Sequence, residues 1–434
     1  MNISGWGNNL HIQSKVYYPK NKDEIVKLLK EKKNESILPR GEGRSYGDVA
    51  LNKNILSLNK FKKKIFLDKK KGILTCSANA TVEEILLKIV PSGWFLSVTP
   101  GSKFVSIGGL IANDVHGKNH HVDGSFSDFV KEIKIINQFG KIKLCSKKKN
   151  ISLFKTTCGG VGLTGIIIEA KIKLLKIKSK NIDVKIFKTQ NLRETINLFK
   201  KIDHHKYTVG WVDTCSKKKF GRSLIFCGEH SNDNNLDYKP QNKFILPSFL
   251  IKFFMNRFFI SIFNMIYFYK PSDKEIKKDN INSFFYPLDI ISNWNKFYGK
   301  DGFTQIQILI KDRKNFYSSA KKIFELLDKY KIYSFLTTIK IYGKGNNNLL
   351  SFCEKGMTIT MDIPVSKLLR KEYTKLEKLF LKQNIKIYLA KDSFMSPKHF
   401  SKTYRNLSNF IKNLKSYNSN SIFKSRLSDR LKIT

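Results

Sequence analysis

The sequence predicts a two-domain α+β protein. Short helical and β-rich patterns alternate along the first 175 or so residues without the regular strand–helix–strand order of a doubly wound sheet, and three glycine-rich loops fall among them. The chain is 41% hydrophobic and 12% aromatic over 434 residues, enough to bury a sizeable core in each of two domains.

The elements follow in order. Between Lys22 and Lys32, the spacing of Ile25, Val26, Leu28 and Leu29 predicts a helix, and the strand-like Ile37-Leu38 comes directly after it. Ile73 to Ala78 reads as a strand and Thr81 to Val90 as a helix, with Thr81 and Glu84 in a capping-box pattern. Val130 to Leu144 predicts a hairpin turned near Gly140, and Gly159 to Lys173 passes from a glycine-rich loop into another strand. These elements define a first domain over residues 1–176.

A second domain, 177–385, is expected to hold an antiparallel sheet with flanking helices. Its strands are YTVGWVDT, TQIQILI and MTITMDIPV, and its helices span Ser319 to Tyr330 and Lys367 to Lys382. No low-complexity linker sets off the remaining residues, 386–434, which are expected to return to the first domain. No fixed-period repeat is evident.

Charge is the most conspicuous bulk property, with 80 Lys plus Arg against 35 Asp plus Glu and a formal net charge of +45. A disordered polycation is excluded by the 33 Phe and 17 Tyr. A nucleic-acid-binding protein is a rival reading, because clustered bases release counterions from phosphate backbones. Against it, only 10 of the 80 are Arg, and the Lys are scattered. Lys, Asn, Ile and Phe share A/T-rich codons, so mutational bias is one source of the charge. Attraction to anionic membranes or phosphorylated substrates is another.

The six Cys, at 76, 145, 158, 215, 227 and 353, have no CxxC pair or metal-like spacing, and a reduced compartment is expected. The start of the chain lacks a signal-peptide apolar stretch, and no uncharged apolar run reaches 18 residues. The expected location is the cytoplasm or the inner face of a membrane. The aromatic segment Phe244 to Tyr269 has Lys252 and Arg257 as its only charges. It fits either an interfacial membrane helix or a helix hairpin broken near Asn256 and Asn264 that covers the core.

The strongest local motif is Pro39-Arg40-Gly41-Glu42-Gly43-Arg44-Ser45-Tyr46-Gly47-Asp48, followed by Val49. Three glycines in seven residues let backbone N–H groups converge into an anion nest suited to a pyrophosphate. The GxGxxxG spacing, with no helical pattern behind it, disfavours a Rossmann unit. A second loop runs through Gly101 and Ser102 to Ser106-Ile107-Gly108-Gly109 and Asn113-Asp114-Val115-His116-Gly117-Lys118-Asn119-His120-His121. Its small residues permit close approach of a flat ligand. The three His with Asp114 invite a metal reading, but neither HExxH nor a Cys partner accompanies them, so no metal is expected. The third loop is Cys158 to Ile167, and three such loops in one α+β unit suit a large dinucleotide.

PRGEGRSYGD, TPGSKFVSIGGLIANDVHGKNHH, GGVGLTGI and YLAKDS resemble the flavin oxidoreductases of the vanillyl-alcohol-oxidase type, which carry a PCMH-type FAD-binding domain, and within them the enzymes of lipid-linked pentoses. The likeness runs from SGWG at Ser4–Gly7 through FFYPLD at 284–289 and TQIQ at 304–307. It implies that Pro39 to Val49, Gly101, Ser106 to Gly109 and Asn113 to His116 bind FAD, with Gly165, Ile166 and Ile167 on the adenine side and Gln307 and Tyr388 flanking the isoalloxazine. Arg44 stands where many relatives carry the flavin-linking His, so the FAD is expected to be non-covalent. The substrate is expected among Tyr46, His116, Lys118, Gln307, Lys340 and Lys391.

The implied reaction is oxidation of a sugar hydroxyl to a ketone, on the 2′-OH of a polyprenyl-phosphoryl-β-D-ribose. A short-chain-dehydrogenase-type reductase would then complete an epimerisation to arabinose for cell-wall arabinan. A soluble sugar, alditol or aldonolactone oxidase on the same fold is the alternative. Lys391 is the central catalytic candidate, either as a base for the hydroxyl proton or as a cation that stabilises the reduced cofactor. Tyr46 and Gln307 would orient hydroxyls, and Lys118 and Lys340 would meet the phosphate. The chain departs from its resemblance at Thr358 and Thr360, where the nearest pattern has Asn and Cys; both are expected to face the pocket.

Overall fold

The computed structural model describes residues 1–216, 221–245 and 256–434. Two larger sheets organise the chain, and each is built from strands whose alternating burial gives them one face for a helical layer. The first has the order β10 (Ile142–Ser146), β9 (Val130–Ile136), β11 (Ile166–Lys176), β7 (Ile73–Ser77), β6 (Ile65–Asp68), with β8 (Trp94–Leu96) pairing the far end of β11. The central strand β11 is long enough to bind β9, β7 and β8 at once, and a register shift between Ile167 and Glu169 marks where its path bends.

Beside this sheet lie a two-stranded ribbon, β1 (Asn2–Ser4) with β2 (His11–Gln13), and a small parallel sheet ordered β3 (Lys15–Tyr17), β5 (Asn54–Ser57), β4 (Leu38–Arg40). The first glycine-rich loop leaves the end of β4. The helix Val82–Ile89 starts at Thr81, whose hydroxyl and Glu84 complete the capping box, and it buries Val82, Ile85, Leu86 and Ile89.

The second large sheet has eight strands in the order β15 (Ile276–Asn280), β12 (Asn181–Thr189), β14 (Ser223–His230), β13 (Tyr207–Val212), β17 (Leu336–Tyr342), β18 (Gly356–Pro364), β16 (Phe303–Ile310), β19 (Lys386–Ile387). All its pairings are antiparallel. The helices Phe316–Lys329 and Lys367–Lys382 pack apolar stripes such as Ile323, Leu327, Leu369, Leu376 and Phe380 beneath it.

The chain's last stretch runs back to the N-terminal sheets. Ile37 donates its N–H to Ile422 at 2.7 Å, Arg426 donates its N–H to Leu51 at 2.8 Å, and Phe423 is buried with Ile37 in the first core.

The segment 244–269 differs from one of its sequence readings. Residues 246–255 lie outside those described, but Arg257–Tyr269 is one unbroken helix, capped by the Asn256 side chain. It does not break at Asn264: that side chain is buried and donates to Asp213 at 2.8 Å, leaving the helical backbone intact.

Candidate active site

A cavity of about 1140 Å³ runs between the two large sheets. Its floor is made where four distant segments meet. Trp6 and Gly7 donate N–H groups to Ser45 and Tyr46 at 2.7 and 3.2 Å, Phe303 donates to Gly7 at 2.7 Å, and Tyr46 donates to Ala390 at 3.0 Å. This stitching carries the first glycine loop to β16 and to the loop that holds Lys391. Gly47 is forced by the same closeness, since a Cβ there would lie 1.6 Å from the Asp392 carbonyl oxygen.

One arm of the cavity is a polar cradle. Gly41 to Ser45, Gly101, Ser106, Gly108, Gly109, Asn113, Gly165 and Ile167 line it. The N–H groups of Glu42, Gly43, Arg44 and Ser45 have no acceptor among the described residues, and Gly43 adopts φ +63°, turning the chain so that they cluster. Gly41 cannot carry a side chain, as its Cβ would meet Ser106 Oγ at 2.2 Å. Free N–H groups and a glycine-rich wall fit the pyrophosphate and adenosine of FAD.

Arg44 does not enter this cradle as an anion ligand alone: its guanidinium lies 4.0 Å from the Trp6 ring centre and its Nε donates to the Phe104 carbonyl at 3.2 Å. Pro39, Arg40, Val49 and Val115 also line the cavity. Arg40 is spent on structure, since its guanidinium donates to the Ser4 and Ala50 carbonyls at 2.7 Å each.

Five residues expected to contact the cofactor do not line the cavity. Gly47 is packed against Asp392, and Ile107 and Ile166 are fully buried in the first core. Asp48 is turned away to pair with Arg430. Asp114, at φ +40°, accepts hydrogen bonds from Ser127, Asn346, Asn348 and Ser351, and so fixes the loop on which His116 stands.

The middle of the cavity gathers Tyr46, His116, Lys118, Gln307, Lys340, Thr360, Tyr388 and Lys391. Gln307 Nε2 lies 2.7 Å from His116 Nε2 and 3.1 Å from the Tyr342 hydroxyl. With the amide donating, His116 carries its proton on Nδ1, a buried atom with no partner among the described residues. Tyr388 donates its hydroxyl to the Asn113 carbonyl at 2.9 Å and places its ring 4.9 Å from that of His116. Thr358, expected to face the pocket, is instead fully buried beside Tyr342 and does not line the cavity.

Burial and crowding of cations set the protonation states. Burial, then Lys340, His120 and Lys391, holds His116 well below the usual histidine range, so it is neutral. Burial brings Lys118 down to about 7, aided by Lys340, and Lys340 down to about 8. Lys391 is lowered by burial and by Lys340, and Asp362 opposes the fall. Burial raises Tyr46 well above the ordinary phenol range, so it stays protonated. Lys118 is tied down by donating to the Phe284 carbonyl.

The second arm is apolar. Val209, Trp211 and Phe226 of the eight-stranded sheet face Phe259, Ile260, Phe263, Ile266 and Tyr267 of the helix Arg257–Tyr269. Sequence reasoning placed a cover in 244–269 but missed the strand side of this wall, and also Gln305, Asp289 and Asp362, which line the cavity. Asp289 and Gln305 sit in FFYPLD and TQIQ, and Asp362 in MTITMDIPV, so all three were quoted within motifs without a role. Among the described residues no group of three or more His, Cys, Asp and Glu could hold a metal ion, and no helix is long and apolar enough to cross a membrane.

Residues 14–146 match the family described as FAD binding domain. With the cradle and the cation-rich centre, the match defines a PCMH-type FAD-dependent oxidoreductase acting on CH–OH groups, on a two-domain α+β fold. Over nearly its whole length the chain resembles decaprenylphosphoryl-β-D-ribose oxidase of Mycolicibacterium smegmatis, 28% identical over 99% of this chain and 97% of that protein. It is also similar to D-arabinono-1,4-lactone oxidase of Candida glabrata, 22% identical over 41% of this chain and 35% of that one, and to cytokinin dehydrogenase 3 of Arabidopsis thaliana, 26% over 37% and 32%. An enzyme thus replaces the basic binding protein among the readings of the sequence.

Proposed function

We propose that the enzyme oxidises the 2′-hydroxyl of a polyprenyl-phosphoryl-β-D-ribose to a ketone, the first half of an epimerisation to arabinose that a separate reductase completes. The observation that carries this reading is the joining of three arms in one cavity: the glycine cradle, a centre with Lys118, Lys340 and Lys391, and an apolar arm against Trp211 and Phe263. A soluble sugar or lactone needs no apolar arm, whereas a prenyl chain does. The full-length likeness to an oxidase of a decaprenyl-phosphoryl sugar supports the same choice.

FAD, when bound, supplies a two-electron acceptor. The chain's own residues do the rest. Burial lowers the pKa values of Lys118 and Lys340, and Lys340 lowers that of Lys118 further, so a phosphate between them restores their charge and is held by it. Gln307, its NH2 spent on His116 and Tyr342, offers its amide oxygen as acceptor to a sugar hydroxyl. Lys391, with its amine over the Tyr46 ring at 3.7 Å, takes the hydroxyl proton when neutral. Tyr46, kept protonated, is a donor to the sugar and not a base.

The helix Arg257–Tyr269 turns Phe258 and Tyr269 outward, each more than half exposed, with Met265 also exposed, and Lys277 and Lys278 lie on the edge strand β15 beside Ile276. This apolar and cationic face suits an anionic phospholipid surface, from which a lipid-linked substrate would enter the apolar arm.

The test is anaerobic addition of polyprenyl-phosphoryl-ribose, free ribose or arabinonolactone to the FAD-loaded protein. Bleaching of the flavin band by the first alone supports the reading. Bleaching by the free sugar or lactone, with none from the lipid-linked sugar, would overturn it in favour of a soluble oxidase.

A further inference from the structure

The helix Arg257–Tyr269 buries one polar side chain in an otherwise apolar stripe. Ile260, Asn264 and Phe268 follow at every fourth residue, so they share one face of the helix, and all three are buried. Among the described residues Asn264 spends its amide on a single hydrogen bond, from Nδ2 to Asp213 Oδ1 at 2.8 Å, and its own Oδ1 is buried without a partner. A leucine there would leave no unpaired amide oxygen, so the polar residue is a poor choice for stability alone and points to a job in placement.

The acceptor is firmly held. Asp213 directly follows β13 and Arg222 directly precedes β14, its neighbour in the sheet, and both side chains are buried. Asp213 Oδ2 accepts from Arg222 Nε and Nη2, each at 2.8 Å, while Oδ1 accepts the Cys215 N–H at 2.9 Å beside the Asn264 amide. One turn along the helix from Asn264, the Phe268 ring lies over the same guanidinium, 4.9 Å from its centre. The start of the helix is tied as well, since Arg257 donates to the Tyr333 hydroxyl at 2.9 Å and to Asp328 at 3.0 Å.

The roll of the helix decides what its flanks do. At about 100° per residue, turning Asn264 inward sends Phe259, Phe263 and Ile266 to one side, where they line the apolar arm. Phe258, Met265 and Tyr269 go to the other side and are exposed. Phe263 and Ile266 are cavity wall and yet more than half exposed, so the arm opens along this flank and a chain can enter without the helix lifting.

We propose that Asn264 is the positioning residue that sets the selectivity of the apolar arm: its bond to Asp213 fixes the roll of the helix, and the roll presents Phe259, Phe263 and Ile266 to the isoprenoid chain of the substrate. The proposal rests on the reading of that arm as the site of a prenyl chain. Apolar contacts such as those of Ile260 and Phe268 tolerate more than one roll, whereas a single buried amide distinguishes one setting from the next, as a lone Asn does between packed helices.

The experiment uses the full chain with FAD bound and two probes, geranylgeranyl phosphate and ribose 5-phosphate, titrated by calorimetry. Wild type is expected to prefer the prenyl probe. In Asn264→Leu, with wild-type FAD content, that preference is expected to shrink by about fourfold or more, the worth of one methylene displaced from an apolar wall, while binding of ribose 5-phosphate stays as it was. An unchanged preference, including equal weakening of both probes, overturns the proposal. No preference in wild type would instead sink the reading of the arm, and the proposal with it, so the two failures are distinguishable. Should Asn264→Leu fail to accumulate, hydrogen exchange of the wild-type helix is read with and without geranylgeranyl phosphate. A helix already protected before the probe is added supports the proposal; one that gains its protection only on binding overturns it.

Discussion

Arg430 clamps Asp48 with two parallel hydrogen bonds, Nε at 2.7 Å and Nη2 at 2.8 Å, although 382 residues separate them. The same Nη2 reaches Asp392 at 2.8 Å, and Nη1 donates to the Met395 carbonyl. Asp48 ends the first glycine loop and Asp392 follows Lys391. One guanidinium thus fastens the first glycine loop to the loop that carries Lys391, with both carboxylates buried.

Replacing Arg430 by Met leaves two buried carboxylates without a counter-ion. Loss of one partner from a buried pair costs about 3–5 kcal/mol. The expected outcome is a lower urea midpoint together with reduced FAD content, measured on the same preparation, and partial recovery of both in Arg430→Lys, which restores charge but not the fork.

The FAD is expected to be non-covalent. With Arg44 stacked on Trp6 in the first loop, precipitation with acid should release all of the flavin to the supernatant. Yellow colour retained in the washed pellet would contradict this.

Lys118 and Lys340 make stability depend on pH. Their folded values, about 7 and about 8, lie below the ordinary lysine value of 10.5. Between those values the unfolded chain binds protons that the folded chain has given up, so these groups make stability rise with pH from about 7 to about 10. The doubly substituted Lys118→Met, Lys340→Met protein should therefore gain most over wild type at pH 7 and below, and its advantage in urea midpoint should shrink toward pH 10. Inorganic phosphate should stabilise wild type at pH 7 and leave the variant unmoved.

The outward apolar face is testable without the active site. Phe258→Ser with Met265→Ser should weaken sedimentation with vesicles rich in anionic phospholipid several-fold, with the flavin spectrum unchanged. Equal sedimentation of variant and wild type would argue against a membrane-facing role.

Local signals made parts of this legible in the sequence. The Thr81–Glu84 box, the hairpin around Gly140 and the helix Lys367–Lys382 each depend on residues within one or two turns, and each stands where its pattern puts it. The glycines of the first loop were legible because only glycine tolerates their contacts and conformation. What escaped depends on register and on distant partners. Thr358 and Thr360 are two apart on one strand and share a face, yet only Thr360 reaches the cavity, while Thr358 is fully buried beside Tyr342. Asp48 looked like a loop ligand until Arg430 was brought to it from the far end of the chain. Asn264 looked like a helix breaker until Asp213 accepted its amide. Asp362 lay inside a strand motif whose facing could not be read before its ladder with Gln305 was known.

The central claim is that Lys391 handles the hydroxyl proton in an FAD-dependent alcohol oxidation. Its most direct test is single-turnover anaerobic flavin bleaching by polyprenyl-phosphoryl-ribose in Lys391→Ala. The expected result is full FAD content and an unaltered resting spectrum with bleaching slowed by about a hundredfold or more, in line with loss of a general base. Bleaching at the wild-type rate in that variant would contradict the account.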